Sequence, residues 1–102
     1  MSQDVKLKLT VTNVPDIGEV TPVPIELNYS GPCPFFKVGQ EIIVDGEEKP
    51  DGFCTLAWNS FWPFIMTLRR GGEFREFYKE PGKAFACCGD AARPVSFLIE
   101  RM

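Results

Sequence analysis

Histidine is absent from the 102 residues. That removes the usual general base, the usual metal ligand and every Ser/His or Cys/His arrangement at once. Cysteine occurs four times, but never as the C-x-x-C pair of zinc ribbons and thioredoxin-like redox sites. No apolar run is long enough to span a bilayer. The opening Met1-Ser2-Gln3-Asp4 has no basic region leading into an apolar run, so no secretory leader is expected. Positive charge is also short. Eleven Lys and Arg face fourteen Asp and Glu, a net −3, which argues against nucleic acid, whose phosphates call for a basic face. Arg69, Arg70 and Arg75 are the only candidates for a local basic patch. These absences point to a cytoplasmic protein with reduced thiols that binds neither membrane nor nucleic acid.

What is present is ordinary for a globular chain. The residues are 44% hydrophobic and 25% charged, which argues against wholesale disorder. A length of 102 residues suits one domain, residues 1–102, with a modest core. Nine Phe and two Trp make that core aromatic.

The stretch from Gly52 to Gly72 is the only one that reads as a long helix. Ala57, Phe61, Phe64, Ile65 and Leu68 form one apolar stripe at helical spacing. Trp58, Trp62 and Met66, at i, i+4 and i+8, form a second stripe. It packs under another layer or serves as a docking surface for a partner. Arg69 and Arg70 suit the dipole of the last turn, and Gly71-Gly72 supplies a left-handed stop. Asp51 or Thr55 is expected to cap the start. Pro63 lies inside the pattern, so a kink or restart is expected there, capped by Asn59 or Ser60.

Around the helix the pattern turns to period two. Val5, Leu7, Leu9 and Val11 alternate with Lys6, Lys8, Thr10 and Thr12, a half-buried strand. Val23, Ile25, Leu27 and Tyr29 alternate as well. Pro22 and Pro24 confine that segment to an edge strand or irregular extended chain. Glu41–Val44 reads as a short buried strand. Glu73–Tyr78 is ambiguous between strand and coil. Lys83–Cys88 and Pro94–Arg101 read as a hairpin around Gly89-Asp90. Strands, one helix, then strands imply α+β: a small antiparallel or mixed sheet of four to five short strands packed on one long central helix. The acids Glu41, Asp45, Glu47, Glu48 and Asp51 face only Lys49 and lack the spacing of a calcium loop. They read as a solvated acidic loop, and no paired-carboxylate spacing supports a hydrolase or isomerase there.

The cysteines admit three readings. They are small apolar core residues. Or Cys33, Cys54, Cys87 and Cys88 together hold zinc or iron, since without histidine a full structural site needs all four thiolates. Or one thiol is reactive, with Cys54 favoured by its place at a helix N-terminus. Neighbouring strand residues point to opposite faces, so Cys87 and Cys88 reach one metal only through local distortion.

An ordered set of motifs runs from Cys33 to Arg101. It comprises Cys33-Pro34-x-Phe36-Lys37-x-Gly39-x-Glu41, Gly52-x-Cys54, Ala57-Trp58, Pro63, Leu68, Gly71-Gly72, Cys87-Cys88 and Arg93-Pro94-Val95-x-Phe97-x-Ile99-Glu100-Arg101. In this the chain resembles a family of small uncharacterised cysteine-containing proteins found mainly in anaerobic bacteria and archaea. All four cysteines fall on the family's cysteine positions. The resemblance implies an anaerobic setting compatible with soft-metal or redox chemistry, and no defined activity. The leading expectation is a binding or accessory domain without its own catalysis, working with a protein partner or as a homo-oligomer. The alternative is a cysteine-based metal-binding or redox protein.

Overall fold

The structure, a computed structural model, describes residues 5–102. Met1–Asp4, on which the expectation of no leader rests, lie outside the described residues. The elements are β1 (Lys6–Asn13), β2 (Glu41–Asp45), α1 (Thr55–Arg69), β3 (Lys83–Cys87) and β4 (Ser96–Arg101). The strands form one sheet in the order β2-β1-β4-β3 with every pair antiparallel. Among the described residues the fold is α+β, with four strands and no parallel pair. The helix has 15 residues, shorter than the stretch that suggested it, because Gly52–Cys54 and Arg70–Gly72 serve as its flanks.

Alternation places Leu7, Leu9 and Val11 of β1 on the buried face with Val44, Ala84, Phe97 and Ile99. The helix meets that face with Ala57, Phe61, Ile65 and Leu68, all fully buried. Aromatic rings fill the seam. Phe97 lies 4.8 Å from Phe61 and 5.0 Å from Phe36, both edge-on. That arrangement suits the ring quadrupoles and adds to the area buried. Phe64 is only half-buried and packs against Phe74, with ring centroids 5.3 Å apart and the planes tilted. The Glu73–Tyr78 segment is therefore a turn that covers the flank of the helix. It is coil rather than strand, tightened by a turn over 75–77, and Tyr78 N–H donates back to Phe74 C=O.

The helix runs unbroken through Pro63, so no restart is needed. Ser60 lies mid-helix and donates its hydroxyl to the Leu56 carbonyl at 3.0 Å. The N-cap is Cys54, not Asp51 or Thr55, and it makes no side-chain cap bond. The C-terminus is closed in two ways. Gly71 has φ 87°, the left-handed region that suits glycine. Gly71 and Gly72 N–H donate to the carbonyls of Leu68 and Thr67, a Schellman pair. A Cβ on Gly72 would meet Thr67 Cγ2 at 2.6 Å and Thr67 O at 2.9 Å. Arg101, from the last strand, then donates to the carbonyls of Leu68 and Gly72 and pairs with Glu73.

Glu73 also accepts from Gly82 N–H at 2.7 Å. That bond first, and the Arg101 guanidinium second, hold its carboxyl below the ordinary value of 4.5, against the opposing effect of desolvation. A depressed folded-state pKa stabilises the fold above the unfolded value and is lost as pH falls through the folded one. The wild type should therefore melt higher than Glu73→Gln at neutral pH, with the gap closing as pH drops below 4.5. Thermal melts of both proteins across the acid range decide it. A gap that stays constant would detach Glu73 from acid stability.

Val23–Tyr29 forms no strand. The chain bends at Ile25 and Asn28, and Pro22 and Pro24 offer no donor to a ladder. The acidic run is not wholly solvated either. Lys8 and Lys6 approach Glu41 and Asp45 at 3.9 and 4.0 Å. Glu47 accepts two bonds from Arg70, at 2.8 and 2.9 Å, and one from Arg69 at 3.0 Å. Arg70 chiefly holds the Glu47 carboxyl below its ordinary value. Two of the three arginines proposed for a basic patch are thus occupied with Glu47, which ties the loop after β2 to the helix end.

Candidate functional site

The segment between β1 and β2 is long and mostly exposed. Its middle part is pinned at both ends to one turn, Asp90–Arg93. At one end Gly18 N–H donates to Ala92 C=O at 3.2 Å. At the other, Arg93 Nη1 donates to the carbonyls of Gly31 and Pro32 at 2.9 and 3.3 Å. Gly18–Gly31 is thus an Ω-shaped loop, a class whose close-set ends frame a surface feature. Between the loop and the turn lies an open groove of about 330 Å³, within the size range of about 300–1,000 Å³ for small-molecule sites. Pro22, Val23, Ile25 and Leu27 wall one side, and Ala91 and Ala92 the other. Ile25 is 69% exposed.

Polar groups gather at one end. Tyr29 Oη donates to the Asp90 carboxylate, lying 3.1 and 3.2 Å from its two oxygens. Asp90 also accepts from Ala92 N–H at 3.1 Å and Arg93 Nε at 3.3 Å. The Arg93 guanidinium carbon sits 4.0 Å from the Tyr29 ring centroid, a cation–π contact. Partial desolvation and the bond to Asp90 push the Tyr29 phenol above its ordinary value. It stays protonated and acts as a donor. The three side chains satisfy one another and fix the end of the loop.

The candidates named from the sequence fall elsewhere. Cys33, Cys54 and Cys88 are partly buried and pack against the core, whereas Cys87 is exposed. Cys87 pairs across from Ser96 in register with exposed Phe85, on the face that the helix leaves open. Cys88 turns the other way, and its sulfur accepts from Val95 N–H at 3.3 Å. Among the described residues no group of three or more Cys, Asp or Glu side chains is placed to hold a metal ion. The four thiols are thus not gathered as one zinc or iron site, as the opposite facing of Cys87 and Cys88 implies. Cys54 lines a hollow of about 160 Å³ with Phe36 and Phe53.

The second helical stripe divides. Trp58 belongs to the core, with its ring 6.2 Å from Phe53. Trp62 leans on Trp58 at 5.8 Å, and Trp62 and Met66 are half-buried. Of the two readings for this stripe, Trp58 takes the packed one, while Trp62 and Met66 keep part of their surface exposed.

The chain matches no family model, no curated protein and no solved structure. Among the described residues, no helix is long and apolar enough to cross a membrane.

Sequence reasoning did not single out Tyr29 and Asp90. They lie 61 positions apart, and nothing local links them. Arg93 drew notice only as part of a motif.

Proposed function

We propose that this protein is a small cytoplasmic binding domain without catalysis of its own, and that the groove under the Gly18–Gly31 loop takes an apolar ligand. The groove itself carries the reading. Its walls are aliphatic and stiffened by Pro22 and Pro24. Its polar end is spent on holding the loop, which leaves Tyr29 Oη lone pairs for one ligand donor.

Hexanamide makes a suitable probe, with an aliphatic tail for the walls and an amide donor for Tyr29. Titrated into labelled protein, it should shift the amide resonances of Val23, Ile25, Leu27, Tyr29 and Ala92. Ile25→Asp should weaken it about tenfold or more, the usual worth of one apolar wall residue, while thermal stability is kept because Ile25 is exposed. Shifts centred elsewhere, or an Ile25→Asp variant that binds as well as wild type, would reject the groove as a site.

A further inference from the structure

The two edges of the sheet are not alike. Lys6 C=O accepts from Met102 N–H, on the β4 side, so Lys6, Lys8 and Thr10 turn their backbone groups towards β4. Val11 exchanges bonds with Gly39 and Gln40 on the β2 side. With the register Leu9↔Ile42 and Leu7↔Val44, the even residues of β2 face β1. Glu41, Ile43 and Asp45 therefore turn their N–H and C=O groups outward. Among the described residues those groups have no partner. The opposite edge, on β3, is partly closed. Phe85 C=O faces outward there and accepts from the Tyr78 hydroxyl at 3.0 Å.

An open strand edge is a template for another strand. Its side chains say which kind. Glu41, Ile43 and Asp45 share the face that the helix leaves uncovered, and Ile43 is 45% exposed. The Glu41 and Asp45 side chains are 56% and 67% exposed. Lys8 and Lys6 reach them only at 3.9 and 4.0 Å, which leaves carboxylate oxygens free. A second copy pairing antiparallel about Ile43 would set each Glu41 against the partner copy's own acid at position 45. Like charges directly opposite are unfavourable. The edge is thus guarded against itself.

We propose that the outer edge of β2 binds an extended peptide segment of a partner protein with the pattern basic-x-apolar-x-basic. The central residue forms ladder bonds with Ile43, and the two basic side chains lie opposite Glu41 and Asp45. An antiparallel pairing reads this pattern the same from either end. The site is separate from the groove at the Gly18–Gly31 loop.

The test uses fluorescence anisotropy with a labelled Arg-Thr-Val-Thr-Arg peptide and its Glu-Thr-Val-Thr-Glu counterpart. The basic peptide should bind about tenfold tighter or more, since two facing pairs change sign. Ile43→Pro removes one outward N–H without touching the ladder to β1, and should weaken binding by a similar factor. The double variant Glu41→Lys/Asp45→Lys should invert the preference. Should Ile43→Pro fail to fold, N-methylation of the peptide's central Val makes the same test on the wild-type protein and should also weaken binding. Ile25→Asp in the groove should leave peptide binding unchanged. Equal binding of the two peptides, indifference to N-methylation, or loss of binding in Ile25→Asp would overturn the proposal. So would a wild-type dimer by sedimentation that Ile43→Pro dissolves, which would make the edge a self-pairing surface.

Discussion

Phe97→Ala should be the most damaging single substitution in the molecule. Phe97 is fully buried on β4, which has a neighbour strand on each side. Its ring meets Phe61 of the helix, Phe36 of the segment before β2 and Phe53 of the segment before α1. Three side chains, each more than thirty positions from Phe97 in sequence, thus converge on one ring. Truncating a buried Phe to Ala costs about 3–5 kcal/mol through lost transfer energy and the cavity left behind. That is a large share of the roughly 5–15 kcal/mol that holds a typical domain together. Phe85→Ala is the internal control. Phe85 sits on the neighbouring strand but faces the open side and is 53% exposed, so its loss should cost far less. Urea midpoints for the two variants give the comparison. Equal costs would mean that the helix does not cover the face that carries Phe97.

The second large effect is local. Arg93→Met should release the loop while the sheet stays folded. The Arg93 guanidinium spans the Gly31 and Pro32 carbonyls, Asp90 and the Tyr29 ring, and no single-point cation covers that set. Its side chain is only 12% exposed. Removal therefore leaves partly buried acceptors without donors, at a global cost of about 1–3 kcal/mol. The sharper readouts lie in the loop. Hexanamide affinity should fall about tenfold or more, and proteolysis within residues 19–28 should accelerate while the urea midpoint moves less than for Phe97→Ala. Arg93→Lys should not rescue the probe, because an ammonium lacks the planar fork and its stacking face. Full rescue by lysine would reduce Arg93 to a mere positive charge.

Where one periodicity governed a segment, the sequence was legible. Leu7, Leu9 and Val11 announce β1 because one face of that strand is wet and the other dry. Ala57, Phe61, Ile65 and Leu68 announce α1 for the same reason at a different period. Val23, Ile25, Leu27 and Tyr29 stayed open between edge strand and irregular chain because alternation only says that two sides differ. Here the apolar side chains line a groove, and the prolines show why no ladder forms. The Trp58 stripe stayed open between packing and docking because a helical wheel cannot show that Trp58 packs beside Phe53 in the core. The Tyr29–Asp90–Arg93 group was illegible, since contacts across such separations leave no local mark.

Several residues of the motif set between Cys33 and Arg101 have structural work in the fold. Arg93 holds the loop, while Gly72 and Arg101 close the helix. These residues hold the frame together, so their places in the motif set speak for architecture before chemistry.

Both feet of the Gly18–Gly31 loop stand on the same short turn. The span between them carries no load from the sheet. Its length and composition can therefore vary without disturbing the register of any strand, as loop-closure cost rises only slowly with length. On the proposed binding role, the frame is a socket with an exchangeable wall. A change of ligand would then call for new residues at positions 20–28 and leave the Arg93 clamp and the aromatic core as they are.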